Sequence, residues 1–419
     1  MTVPSRMLGA MSATTIPLTD ADVRRIRHRS QAAIIAGQAL AGIGMGATFS
    51  AGALLATDLS GSPAWSGTAT TMSTLGAAAA AIPLARLAAR SGRSPALATG
   101  AGIAAVGAAI GLVSVAVDSF PLFLIAMALL GVGTAVNLQS RFAATDLSEP
   151  GSRGRDLAIV VWSTTIGAVA GPNLIGPGDS LGQSIGLPAL GGVFVFALAA
   201  QLIAATVYFV VLRPDPLRTA LRLGVERGAG AVASRATDRN GVATAIVALA
   251  LSHATMASVM AMTPVHLVHH GATLEIVGLT ISLHVAGMFG LSPLWGMMSD
   301  RFGREPVIAL GQVMLLAALL MTSLGAEASE WVLAGLIFLG LGWSASTVAA
   351  SGLVADSADP ARRTVVQGRA DLAMSLAGGV GAAGSGVVLA LLGYAGLSFV
   401  AMALVAVVFV TLAVRRSRR

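Results

Sequence analysis

The sequence contains neither cysteine nor lysine, and only 11% of its 419 residues are charged. Without cysteine there is no disulfide framework and no thiolate, so a site for a soft metal must use methionine and histidine. Soluble domains are about one quarter charged, whereas this chain is 55% apolar with a mean hydropathy of +0.81. Aromatic residues are scarce at 5%, and the 50 glycines are typical of closely packed membrane helices. The composition therefore predicts an all-α integral membrane protein.

Runs of about 20 apolar residues, the length that crosses a bilayer, occur twelve times along the chain. The predicted segments are 31–56, 64–88, 94–117, 120–141, 157–178, 188–212, 241–267, 273–298, 306–326, 330–354, 371–393 and 395–414. Residues 1–30 are polar and arginine-rich, so we expect no signal peptide there.

The positions of the arginines provide an independent test of this count, because arginine occurs in every second connection between segments. They precede segment 1, occupy every even-to-odd connection and follow segment 12, whereas the odd-to-even connections contain none. Basic residues remain on the cytoplasmic side of a membrane. The pattern predicts a multi-pass membrane protein with both termini in the cytoplasm. The net charge of +7 is explained by this topology, and we expect the lipid bilayer, not a nucleic acid, as the partner.

The chain also repeats itself at an offset of about 210 residues. Residues 146–153 (DLSEPGSR) resemble residues 356–363 (DSADPARR), and residues 83–95 resemble residues 293–306. Both repeats lie at corresponding arginine-rich ends of segments. Parallel repeats of this kind are found in secondary transporters. They predict two pseudo-symmetric halves of six helices each. The divisions are an N-terminal segment (1–30), the first half (31–212), a cytoplasmic linker (213–240), the second half (241–414) and a tail (415–419).

Two short motifs give these halves a family resemblance. The run Gly296-x-x-x-Asp300-Arg301-x-Gly303-Arg304 resembles the signature that joins helices 8 and 9 in the major facilitator superfamily. The first copy is a weaker match, with Arg86 and Arg90 in place of Gly and Asp. Gly167-x-x-x-Gly171-Pro172 on segment 5 resembles the glycine-proline motif that this superfamily's antiporters carry. The resemblance implies the twelve-helix carrier fold but does not identify a substrate.

The signature also has a physical interpretation. A carboxylate at the mouth of the helix bundle, such as Asp300, can cap the N-terminus of a neighbouring helix or pair with loop arginines. We expect it to act as a latch on the cytoplasmic side; the alternative is an ordinary charged turn that fixes the topology.

Segments 7 and 8 each carry a pair of soft donors at a spacing of four residues. Met256 and Met260 share one face of segment 7, and His284 and Met288 share one face of segment 8. Thioether and imidazole groups suit Cu(I). Because the two segments run in opposite directions, the pairs overlap in depth near the middle of the membrane. Methionine also fills gaps in apolar cores, so the methionine pair alone is a weak signal. An imidazole at this depth needs a partner or a function.

The two motifs together resemble the metal motifs of the CcoA-like copper importers, which supply copper for cytochrome oxidase assembly in bacteria. The matching residues are Met256, Met260, His284 and Met288. This resemblance implies a location in the bacterial cytoplasmic (inner) membrane and inward transport of copper as the substrate. We expect no bound cofactor and a monomeric protein. The same subfamily includes riboflavin transporters. An organic-solute carrier, for riboflavin import or drug efflux, is therefore the alternative, and the glycine-proline motif favours it.

Further polar residues are weaker candidates. His253 is a possible fifth donor or a proton acceptor. No Asp or Glu lies at the centre of a segment, so His253 and His284 are the predicted groups for any proton coupling. An outer group of His266, His269 and His270 could capture metal or could be simply solvated. The residues equivalent to the four donors in the first half are Gly46, Ser50, Thr74 and Ala78, none of them a soft ligand, although Met45 and Met72 lie nearby. Polar residues expected to line the first half, mainly in packing or gating roles, are Asn137, Gln139, Arg141 and Asn173.

Two other classes fit the sequence less well. A membrane metal sensor needs a folded output region, for which the linker and tail are too short. No nucleophile–base set or phosphate-binding loop that would indicate an enzyme is present in the cytoplasmic segments.

Overall fold

The computed structural model describes residues 19–62, 65, 67–149, 151–188, 190–226, 237–360 and 362–417. Within these residues the chain is helical and has no strand, as predicted. The helices are α1 Asp20–Ser60, α2 Thr68–Ser91, α3 Arg93–Ala116, α4 Phe120–Ala143, α5 Arg153–Asn173, α6 Ile175–Ser184, α7 Val193–Thr206, α8 Pro216–Glu226, α9 Arg239–His269, α10 Leu274–Phe289, α11 Ser292–Phe302, α12 Arg304–Leu324, α13 Ser329–Ser357 and α14 Arg363–Ser417. Nine helical stretches in the described residues are long and apolar enough to cross a membrane.

The helices form two halves that follow the predicted segments. Helices α1 to α7 make the first half, in which a π-helical turn over Val207–Val211 continues α7. Helices α9 to α14 make the second half, and the short helix α8 lies in the linker. Segment 8 corresponds to α10 and α11 together, and α14 contains both segment 11 and segment 12. The structure is thus consistent with twelve crossings. Linker residues 227–236, with Arg227 and Arg235, lie outside the described residues.

Three departures from the predicted boundaries have local causes. Helix α1 begins at Asp20, ahead of its apolar run, because Thr19 and Asp22 form a capping box. Segment 8 is interrupted at residues 290–291, and the proline at position 293 lies in the first turn of α11, which begins at Ser292. Segments 11 and 12 are joined without a loop, and the chain turns at Gly393, whose φ of 70° favours glycine.

The predicted repeat reappears as a pair of equivalent ion pairs. Arg93 Nε lies 2.8 Å from Asp146 Oδ2 in the first half. Arg304 Nε lies 2.9 Å from Asp356 Oδ2 in the second half. Each pair ties the turn after the second helix of a half to the end of its fourth helix. We call the side of the bundle that carries these turns the arginine-rich end, which the distribution of basic residues predicts to be cytoplasmic.

The glycines of the segment 5 motif allow α5 to lie directly against α1. A Cβ atom at Gly167 would come within 2.2 Å of the Gly42 carbonyl carbon, and one at Gly46 would come within 2.8 Å of the Gly167 oxygen. Gly171 lies against Gly46 in the same way. Small residues at a spacing of four on both helices permit this approach of the two backbones. The side chain of Pro172 lies outside the described residues. The motif thus has a packing role within the first half.

We therefore expect Gly167→Leu to destabilise the protein by about 1–3 kcal/mol or more, because the two backbones must separate to admit the side chain. Thermal unfolding of the purified protein in detergent measures this change. Gly102→Ala on α3 is the matched control, since a Cβ there meets no atom within 4 Å. Equal melting temperatures for Gly167→Leu and Gly102→Ala would contradict the packing role.

Candidate functional site

The position of His284 is set by a close crossing of α10 and α13. A Cβ atom at Gly340 would lie 2.4 Å from the His284 carbonyl oxygen, and one at Gly287 would lie 2.9 Å from the Ile337 oxygen. Only glycine at both positions allows the helices to come this near. The crossing brings the imidazole of His284 against the backbone of α13, where it is fully buried.

A hydrogen bond to this backbone determines which nitrogen of His284 carries the proton. His284 Nδ1 lies 2.7 Å from the carbonyl oxygen of Leu336. A carbonyl oxygen can only accept a hydrogen bond, so Nδ1 donates and the neutral ring has its lone pair on Nε2. Among the described residues, Nε2 is buried and has no hydrogen-bond partner. A histidine held by a backbone carbonyl, with its other nitrogen available, has the arrangement of a metal ligand.

The methionines of the two motifs pack in the apolar core of the second half. This core also contains Leu336, whose carbonyl oxygen accepts the hydrogen bond from His284. Met256 and Met288 are buried in one cluster of the second half, and Met260 is partly buried against that cluster. Met260 lies nine residues before the end of α9, and His284 lies ten residues after the start of α10. With a rise of about 1.5 Å per residue, the two pairs lie at matching depths below the α9–α10 turn.

His253 has a different environment from the other candidates. The indole Nε1 of Trp343 donates to His253 Nδ1 over 3.0 Å, which leaves the ring proton on Nε2. The other edge of the ring faces α14, where a Cβ at Gly378 would lie 2.3 Å from His253 Cδ2. Hydrogen-bonded in this way, His253 has no free lone pair to offer a metal.

Two aromatic residues that no sequence pattern indicates lie beside this histidine. The ring centroids of His253 and Trp343 are 5.9 Å apart, and Phe289 makes an edge contact with Trp343 at the same distance. Phe289 follows Met288 directly on α10. An isolated tryptophan in an apolar segment carries no spacing pattern, so only the fold reveals this group.

The outer histidines form structural contacts. His266 Nε2 lies 2.6 Å from the oxygen of Ala326, and its ring stacks on Tyr394 with centroids 4.1 Å apart. His270 Nδ1 bonds to the backbone oxygen of His266, while His269 is exposed. Within the part of the chain that the structure describes, no group of three His, Asp or Glu side chains is arranged to hold a metal.

Asp300 of the signature connects the two halves at the arginine-rich end. Its carboxylate accepts hydrogen bonds from the backbone N–H groups of Gly154 and Arg155, both at 2.8 Å. These residues form the first turn of α5, whose unpaired N–H groups and helix dipole favour an acidic cap. Gly296 allows the approach, because a Cβ there would lie 2.4 Å from the Gly154 oxygen.

The arginines around this cap extend it into a network. Arg304 Nη1 lies 2.8 Å from Asp300 Oδ1, and its Nε is bonded to Asp356. Arg153 of the first half reaches the other oxygen of Asp356 over 2.9 Å. Of the remaining signature residues, Gly303 has a φ of 93° that favours glycine, and Arg301 lies over the ring of Phe302.

The polar residues of the first half have structural partners. Gln139 donates to the oxygen of Ala81, and Arg141 forms an ion pair with Asp371 of the second half. Asn137 is half-buried. The side chains of Asn173, Met45 and Ser50 lie outside the described residues. The partner of Arg141 was not predicted, since Asp371 lies at the boundary of segment 11 and 230 residues away in sequence.

Between described residues, the hydrogen bonds and ion pairs that join the halves lie toward the arginine-rich end. They link Arg93 to Gln367, Arg141 to Asp371, Arg153 to Asp356, Asp300 to the start of α5, and Ser292 to the oxygen of Ala158. The structure therefore has its arginine-rich end closed.

Comparisons with known proteins agree with this architecture. An uncharacterized MFS-type transporter, YddS, of Bacillus subtilis strain 168 is 37% identical over 366 residues, which cover 85% of this chain and 84% of YddS. The riboflavin transporter RfnT of Brucella anthropi is 28% identical over 359 residues, covering 85% and 87%. The crystal structure of the human organic anion transporter MFSD10 matches with a TM-score of 0.75 at 17% identity, covering 92% of this chain and 99% of that one.

The family model described as Major Facilitator Superfamily matches residues 34–274 and 245–419, which together span most of the chain. The relatives of this chain are membrane transporters and not enzymes. The helical halves, the closed arginine-rich end and these matches lead to one conclusion: the chain belongs to the major facilitator superfamily of secondary transporters.

Proposed function

We propose that this transporter moves copper, as Cu(I), inward across the cytoplasmic membrane by alternating access. The observation that carries the proposal is His284, whose Nδ1–H is held by the Leu336 oxygen while Nε2 keeps a buried, unpartnered lone pair. In an apolar core, a lone pair without a donor is unfavourable unless a ligand occupies it in part of the cycle.

The thioethers of Met256 and Met288 are the soft donors that accompany this nitrogen in the proposed site. Both are buried in the large apolar cluster of the second half, and Met260, the fourth proposed donor, is partly buried against the same cluster. All four ligands are neutral, so the bound ion keeps one positive charge. Thioether and imidazole ligands suit Cu(I) and release it more easily than thiolates would.

The inward direction of the proposal rests on the resemblance to the CcoA-like importers. A membrane potential that is negative inside also favours the entry of a monovalent cation, by about 2.3 kcal/mol per 100 mV. Rocking of the two halves about the site would then expose the ion to the cytoplasm. The resemblance to CcoA-like importers supports a role in supplying copper for cytochrome oxidase assembly.

A transport assay with isosteric variants tests this proposal. We expect His284→Asn to lower radioactive copper uptake at least about tenfold, because its amide can still donate to the Leu336 oxygen while the Nε2 donor is lost. Met288→Leu and Met256→Leu should also lower uptake. Met314→Leu on α12, a methionine packed against the same cluster, is the matched control. Wild-type uptake by His284→Asn at normal membrane levels would rule out the copper site.

An organic solute such as riboflavin is the second candidate. The relative from Brucella anthropi is named a riboflavin transporter, and His253, Trp343 and Phe289 form an aromatic group in the second half. Such a group can stack on a flat ring. An organic solute would require the aromatic group and would not require the lone pair of His284.

Riboflavin uptake in an auxotrophic strain separates the two candidates. If copper is the cargo, we expect cells carrying this protein to take up no more riboflavin than cells carrying the empty vector. Excess riboflavin should also leave copper uptake unchanged. Riboflavin uptake that is lost in Trp343→Ala and retained in His284→Asn would establish the organic cargo instead.

A further inference from the structure

One ion pair between the two halves is buried on both sides. Arg141 Nη2 on α4 lies 2.7 Å from Asp371 Oδ1 on α14, and the two side chains are 3% and 0% exposed. By contrast, the pair of Arg153 with Asp356, which also joins the halves, is 23% and 33% exposed. Removing two charges from water carries a large desolvation cost. In membrane proteins, ionisable groups retained at such a cost mark ion and proton pathways.

The pair is not fully satisfied by its surroundings. Among the described residues, Asp371 Oδ2 and Arg141 Nε are buried without hydrogen-bond partners. The remaining contacts of the guanidinium are weak, with Met374 Sδ at 3.8 Å and the ring of Phe142 at 4.9 Å from Arg141 Cζ. A carboxylate with one empty oxygen in a low dielectric can be neutralised by a proton as well as by the arginine.

The neighbouring helices determine which other charges face the pair. Arg93 on α3 bonds to Gln367, one turn before Asp371, but its charge is balanced by Asp146. His253 on α9 faces α14 at Gly378, about two turns beyond Asp371. On helix α2, Ala81 and Ala85 lie against Gly368. The charge paired directly with Asp371 is that of Arg141.

The location of the pair ties it to the transport cycle. Alternating access requires the arginine-rich end to open, and Arg141 must then leave Asp371 because they belong to different halves. We propose that Asp371 is the proton-binding group of this transporter. The charged carboxylate holds Arg141 and keeps the arginine-rich end closed, and a proton bound at Oδ2 releases Arg141 so that the halves separate there.

The cycle balances one proton. The proton adds to a lone pair of Oδ2 in the closed state and neutralises the carboxylate. After opening, water reaches Asp371, the proton leaves to the solvent, and the regenerated carboxylate pairs again with Arg141. This role depends on membership of the family and on the fold, and it holds for either cargo.

The absence of cysteine permits a direct test without any cargo. Spin labels are attached to Ala89→Cys on α2 and Phe302→Cys on α11, two exposed positions at the arginine-rich end of different halves. Distances between the labels are measured at about pH 8 and about pH 5. In the parent protein we expect the population of long distances to rise at least about twofold at the lower pH. Asp371→Asn should show long distances at both pH values.

Two further variants separate protonation from a general loss of packing. Asp371→Glu retains the carboxylate and should retain the pH response. Asp356→Asn breaks the exposed inter-half pair and should also retain the response, whatever its starting distance. If Asp371→Asn does not fold, Arg141→Gln takes its place and should be open at both pH values.

Two results would overturn the inference: a parent protein that does not respond to pH, or a response in Asp371→Asn (or in Arg141→Gln) equal to that of the parent. Because no copper or riboflavin is present, failure of the proposed function leaves this readout unaffected.

Discussion

Inside a bilayer, a polar group must find its partner within the protein, because the hydrocarbon offers no hydrogen bonds. This constraint organises the whole molecule. It places the arginines at one end of the bundle, and it requires the imidazole of His284 to use the oxygen of Leu336. It also explains why Gln312, deep in the second half, donates to two serine hydroxyls, Ser252 and Ser346. Against this background, the two proposals rest on two buried atoms without a partner among the described residues, Nε2 of His284 and Oδ2 of Asp371.

The two halves share a scaffold but not the functional groups. Arg93 with Asp146 and Arg304 with Asp356 are equivalent pairs that fix the same turn in each half. The position equivalent to Arg141 in the second half is Ser351, and the position equivalent to Asp371 in the first half is Val161. The soft donors of α9 and α10 likewise have no equivalents. Symmetry therefore accounts for the fold, and the departures from symmetry carry the candidate chemistry.

The sequence could predict the features that depend on local residue pattern. It could not predict those that depend on backbone conformation or on contacts between distant residues. Hydropathy predicts the apolar helices, and the arginine alternation predicts which segment ends lie together, because both depend on each segment's own contact with lipid or water. The interruption at residues 290–291 and the turn at Gly393 depend on backbone conformation, and glycine is too frequent in this chain for single positions to stand out. The spacing of Met256, Met260, His284 and Met288 proposes a shared site, but spacing does not reveal the carbonyl of Leu336 that fixes the tautomer.

Asp371 is a second residue whose contact cannot be predicted from the sequence. A carboxylate at the boundary of a predicted segment is indistinguishable from a solvated one until its distant partner is known. The partner, Arg141, lies at the end of segment 4, in the other half of the protein. Only the packing of α4 against α14 turns two unremarkable terminal charges into a buried pair.

The charge of the cargo determines how it can share the protein with a proton. With Asp371 charged, its pair with Arg141 is neutral overall, so a cation bound by neutral donors in the same half meets no uncompensated charge. With Asp371 protonated, Arg141 is left uncompensated, and a cation would be repelled by it across a medium of low dielectric. A proton on Asp371 therefore weakens the binding of a cation when the arginine-rich end opens, which favours release of the cation at that end, whereas a neutral solute meets no such repulsion. The charge of the cargo thus determines whether the proton acts on the affinity for the cargo as well as on the opening of the arginine-rich end.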